Sequence, residues 1–193
     1  MLDSGSHAVN GNRLGQGRRM QESDEELTEL QALLDTSLAR ATGHLRSIVQ
    51  PERSLTAAQL VQVITGMCTL AVSSVTAAGE PRVSGADGHF LHGCWVITTE
   101  RSSAKARHFA ARPAISAAHL RGDDLGVFTH GRVEELNPAA GPPDPQWPAI
   151  LDHLTQHYGS SPLSWGDVVA YRIRPHWMVA YAADPAAQLA QAG

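Results

Sequence analysis

Cysteine is nearly absent from this 193-residue chain: Cys68 and Cys94 alone occur, with no Cys-x-x-Cys spacing. A disulfide scaffold and a paired-cysteine zinc framework are therefore excluded, and two lone thiols fit a reducing compartment, so a cytoplasmic location is expected. Charge of one sign is also scarce. The formal net charge is −4, whereas nucleic acids and anionic membranes both reward a basic face, so neither is expected as a partner. No apolar run approaches the roughly 18 residues that span a bilayer. The opening residues are rich in Gly, Ser, Asn and Arg and lack the apolar centre of a secretion signal; residues 1–22 are expected to form a disordered tail. A Gly-x-Ser-x-Gly elbow, a P-loop and any internal repeat are missing as well.

What remains is a globular balance, 42% hydrophobic and 18% charged, with length for one ordinary domain. Ser23 followed by Glu26 forms a capping box. Leu27, Leu30, Leu34, Leu38, Ala41 and Leu45 then recur at helical steps, which predicts an N-terminal helix over 23–50. Thr56 and Gln59 repeat the cap before a short helix to residue 64, closed by Gly66. The period then changes. Cys68, Leu70 and Val72 alternate with Thr69, Ala71 and Ser73 as a half-buried strand does. Ala78-Gly79-Glu80-Pro81, Asp87-Gly88 and His92-Gly93 read as turns around extended segments at 82–86 and 94–99. Ser102 and Ser103 can cap a helix that runs to residue 111 before Pro113 stops it. Strands follow at 114–120 and 125–136. A proline-rich loop occupies 137–145, a helix 146–158, and two strands 168–174 and 176–182, separated by Pro175. Residues 51–185 are thus expected to form a single α+β barrel domain, and 186–193 a C-terminal tail.

The chemistry concentrates at 98–105. A strand ending in Thr98-Thr99 delivers hydroxyl and N–H groups to the mouth of a helix opened by Ser103. The first turn of such a helix offers unpaired N–H donors and the positive dipole end, a phosphate site. Lys105 opposes that dipole unless an anion is bound there. Arg82, on a neighbouring strand, can add a planar fork of donors. The plainer alternative treats Lys105 and Arg107 as solvated charges and the serines as ordinary caps.

The ordered set Gly79-Glu80-Pro81-Arg82, Thr98-Thr99, Ser103-Ala104-Lys105, Arg112-Pro113 and Gly131-Arg132-Val133-Glu134 resembles the pyridoxamine 5′-phosphate oxidase-like FMN-binding split barrels. The resemblance spans about 55–182. It implies a six-stranded antiparallel split β-barrel with flanking helices, and a homodimer with cofactor at the interface. It also implies phosphate contacts from Arg82, Thr99, Ser103 and Lys105. With Val83, Ser84 and Thr98 added from the same two strands, these form the candidate cofactor-binding set. The implied activity is that of a flavin (FMN)-dependent oxidoreductase acting on a small-molecule substrate, with no protein nucleophile required. Two features depart from the oxidase itself. Ala104 stands where it carries arginine, and 172–177 does not reproduce its Arg-x-His substrate motif. The same barrel serves the deazaflavin coenzyme F420, and in some families haem, as catalytic or non-catalytic proteins.

Ten histidines raise the question of a metal. His153 and His157 have ligand-compatible spacing but lack a zincin's glutamate and third ligand. His89 and His92 are read as flanking a turn, and His130 as a strand residue able to face a pocket or bind haem. Cys68 and Cys94 read as small core residues. Trp165 and Trp177 are candidates to pack near a cofactor ring, or else belong to the core or an interface.

Overall fold

A computed structural model describes residues 22–192; the tail expected at 1–22 lies outside the described residues except for Glu22. Helix α1 (Asp24–Ala39) starts as its cap dictates. The Glu26 N–H donates to Ser23 Oγ at 3.2 Å and the Ser23 N–H donates to Glu26 Oε2 at 2.8 Å. The helix expected over 23–50 is in fact two. Thr42 is extended, accepts the Leu45 N–H at 3.2 Å and opens a separate helix α2 (Gly43–Ile48), so a second cap outcompetes continuation. Helix α3 (Ala57–Val63) carries the expected Thr56/Gln59 capping box.

Six antiparallel strands follow: β1 (Met67–Val75), β2 (Pro81–Leu91), β3 (Cys94–Glu100), β4 (Ala114–Arg121), β5 (Leu125–Glu135) and β6 (Val168–Ala182). They close into a barrel in the order β1-β2-β3-β6-β5-β4. Helix α4 (Ala104–Ala111) links β3 to β4. Helix α5 (Trp147–Tyr158) and a short 3-10 turn (Pro162–Trp165) precede β6, and helix α6 (Pro185–Ala192) ends the described chain. The architecture is α+β. Alternate residues point inward, and Leu70, Val72, Trp95, Ile97, Val127, Val169, Tyr171, Ile173 and Met178 fill the interior. A smaller cluster of Leu91, Val96, Leu136, Ala170, Trp147, Ile150 and Leu154 fastens α5 to the outside of the sheet. Among the described residues no helix is long and apolar enough to cross a membrane.

Three local readings are corrected. Asp87-Gly88 is not a turn but lies within β2, where Gly88 pairs with Cys68 and Ile97. A Cβ at Gly88 would come within 2.5 Å of Leu70 Cδ1, so this glycine permits interior packing rather than chain reversal. Pro175 does not divide the last strand. β6 runs unbroken for 15 residues, and a register shift between His130 and Gly131 absorbs the missing ladder donor. Residues 186–192 are helical rather than a tail. Pro185 pre-sets the first turn of α6, and Asp184 Oδ1 accepts the Ala187 N–H at 3.0 Å.

Candidate functional site

The barrel's seam between β2 and β3 is hydrogen-bonded along only part of its length. β1 pairs with β2 from Pro81 to His89, but β3 pairs with β2 only from Gly88 to Leu91. Beyond that point β3 continues beside β6 alone, Thr98 opposite Ala170 and Thr99 opposite Val169. The two strands separate, and α4 begins at the opening.

Ser103 caps α4, its Oγ accepting the Ala106 N–H at 3.2 Å and lying 3.2 Å from Thr99 Oγ1. Lys105 then reaches across the gap and donates to the Gly85 carbonyl of β2 at 2.7 Å. Burial holds the Lys105 ammonium below the ordinary lysine value, with the Asp87 charge opposing that fall. Among the described residues Lys105 makes no ion pair. A half-buried cation at the mouth of a capped helix, without a carboxylate bound to it, is the electrostatic profile of an anion site.

Strand alternation sorts the remaining candidates. Arg82 and Ser84 stand opposite Ser74 and Val72, both buried, whereas Val83 stands opposite Ser73 and is 73% exposed on the outer face. Thr98 and Thr99 likewise point to opposite faces, and Thr98 shares a pair with Ala170 of the α5-covered cluster. The side chains of Thr99, Ser103 and Lys105 therefore gather at the opening. Arg82 and Ser84 share the adjacent β2 face, and Arg82 is bound to Glu80 at 2.6 Å in the open. The side chains of Val83 and Thr98 do not join this group.

The other basic residues of the region have structural partners. Arg101 bonds Glu135 at 3.3 Å, Asp167 at 3.2 Å and the Asn137 carbonyl at 2.9 Å. Arg107 donates to the Ser102 carbonyl, and Arg112 to the Val75 carbonyl at 2.8 Å. Two features escaped sequence reasoning: the Gly85 carbonyl as partner of Lys105, and the 2.9 Å contact of His108 Nδ1 with Ser74 Oγ that ties α4 to β1.

His89 is not at a turn. It is 1% exposed beneath α5, where its ring meets those of His153, His157 and Tyr158 on that helix. No three ligating side chains among the described residues are arranged to hold a metal ion. His130 lies exposed on the outer face, stacked on Trp177 at 4.6 Å and 2.7 Å from Ser116 Oγ. Trp165 is 51% exposed against Tyr158. Cys68 and Cys94 are buried free thiols whose pKa values burial raises.

No protein-family model matches the chain, and no curated protein does. Solved structures do. The protein Rv2991 from Mycobacterium tuberculosis superposes with a TM-score of 0.57 at 14% identity, over 72% of this chain and 91% of that one. The protein Atu2129 from Agrobacterium tumefaciens gives 0.50 at 16% identity, over 78% and 62%. An F420 reductase gives 0.47 at 20% identity, over 60% and 92%. At these identities the likeness is one of fold. The chain is a closed six-stranded antiparallel barrel. Its fold is shared with the proteins Rv2991 and Atu2129.

Proposed function

We propose that the opening between β2 and β3 binds the phosphate of a flavin-type cofactor, FMN in the first instance, and that the chain is a flavin-dependent oxidoreductase acting on a small molecule. The observation that carries this reading is Lys105, half-buried at the N-terminus of α4, its ammonium bonded to a carbonyl rather than a carboxylate. A phosphate there would meet Lys105, the Ser103 and Thr99 hydroxyls and the first amides of α4, with Arg82 and Ser84 on the flanking strand. The donor set fits the group: hydroxyls, amides and cations are all present. Val83 and Thr98 would contribute backbone groups alone. When bound, the isoalloxazine ring supplies hydride transfer, and the protein's part is to hold and orient it.

Homodimerisation belongs to the same proposal. The outer face of β2, β1 and β4 exposes Val83 at 73%, Leu120 at 55% and Met67 at 40%, with Ala71 paired to Ala118 between them. A small-residue, apolar face beside the opening is suited to a second copy, which would provide the other wall of a ring-sized site.

Absorbance titration of the purified protein with FMN, F420 and haem tests the cofactor. FMN binding is expected, competed by inorganic phosphate. Lys105→Ala should weaken it about tenfold to a hundredfold, the range for a hydrogen bond to a charged group, with the melting temperature unchanged. F420 binding without FMN binding would replace the cofactor and keep the anchor. Binding of none of the three would end the reading. Sedimentation at micromolar concentration should give a dimer; a monomer rules out a shared site.

A further inference from the structure

The apolar residues of α5 do not run its full length. Trp147, Ile150 and Leu154 are its buried positions, all within its first eight residues. The last turn adds a polar group to the partly buried Tyr158. His89 Nδ1 of β2 lies 3.2 Å from His153 Nε2, and His89 Nε2 lies 3.0 Å from the Tyr158 hydroxyl. The His157 ring packs edge-on against both His89 and Tyr158, at 4.8 Å in each case. Trp165 covers the far side of Tyr158 at 5.0 Å, and Gly159, in the left-handed conformation, ends the helix.

We propose that this seam is an acid-operated latch, closed by the uncharged Tyr158–His89–His153 hydrogen-bond chain and opened when its histidines take up protons. Neutral rings match a donor to an acceptor at both contacts: Tyr158 donates to His89 Nε2, and His89 Nδ1–H donates to His153 Nε2. With both rings charged, the two nitrogens at 3.2 Å each carry a hydrogen and neither can accept. A proton held by His89 alone leaves a buried cation with no carboxylate bonded to it.

The charged groups around the seam do not relieve this. Asp87 precedes His89 on the same face of β2, but its charge acts on Tyr158 and Lys105. Asp152 favours the charged form of His153, against burial and His157, which disfavour it and prevail. Glu22 lines a small cavity with His153, and burial raises its pKa, which lowers its value as a counter-ion.

Burial first, then His153 and His157, push His89 down to about 3. A released, solvated imidazole titrates near 6.5. The direction follows. A base whose pKa is depressed in the closed state leaves closure intact above about 6.5, and the opening constant rises about tenfold per pH unit below it. Between pH 7.5 and 5.0 the last turn of α5 should open about thirtyfold more. The latch is independent of which cofactor the barrel takes.

Hydrogen exchange by mass spectrometry on residues 153–158, corrected for intrinsic rates, reads this directly. Wild-type protein should show the thirtyfold rise while peptides from β3 and β6 stay constant. His89→Gln, which keeps a hydrogen-bonding amide without titrating, should cut the rise to threefold or less. An unchanged exchange rate at 153–158, or a rise retained in full by His89→Gln, overturns the latch. Should His89→Gln fail to fold, proton NMR of the wild-type histidine rings decides. A His89 signal that stays untitrated in the closed form down to pH 5 supports the latch, and one that titrates near 6.5 without opening overturns it.

Discussion

Strand β2 lives in two environments. From residue 88 onward it pairs with β3, and its last four residues are all buried. From 81 to 85 it leans on β1 alone, and none of its residues is buried. The first stretch closes the barrel and the second leaves it open for Lys105 to cross. One continuous strand thus separates stability from ligand access along its length, because each residue's worth is set by what lies across from it rather than by its propensity.

Substitutions along and beside this strand can break that contrast. The largest effect is expected from Trp95→Ala, in the strand facing the buried half. Trp95 is fully buried, packs edge-on against Phe90 at 5.0 Å and donates to Thr129 Oγ1 at 3.2 Å. Its removal should lower stability by about 3–5 kcal/mol, measured by urea unfolding. Next comes Gly88→Ala, whose Cβ would press on Leu70 Cδ1 at 2.5 Å and on Trp95 Cε3 at 3.3 Å. A loss of about 1–3 kcal/mol is expected by the same assay. Gly85→Ala, three residues earlier, meets nothing within 4 Å. It should change stability by no more than about 0.5 kcal/mol, with a melting curve that overlays the wild type. Equal losses at Gly85 and Gly88 would show that the two halves are not distinct.

The sequence was informative where structure is local. The boxes at Ser23 and Thr56 and the cap at Ser103 are read correctly because each cap satisfies donors within its own first turn. The alternation in β1 marks its buried face for the same reason. Legibility fails where a partner distant in the chain decides. Asp87-Gly88 looks like a turn until Leu70 is seen to need the space. Pro175 looks like a break until the shift opposite it in β5 is known. Thr42-Gly43 is a local signal that the leucine periodicity running through it masks. At the site, the residue types at Ser103 and Lys105 were legible, but their meeting with Gly85 was not. The opposite orientation of Thr98 and Thr99 follows from strand alternation alone.

Arg101 carries a consequence beyond its ion pairs. Its backbone N–H is held by the Asp167 carbonyl at 2.8 Å, and its guanidinium by Glu135, Asp167 and the Asn137 carbonyl. The link between β3 and α4 is therefore fastened on three sides before any anion arrives. A loop that is already ordered surrenders no conformational entropy on binding. Association at the mouth of α4 should then be paced by diffusional encounter rather than by a search of the loop for its bound shape.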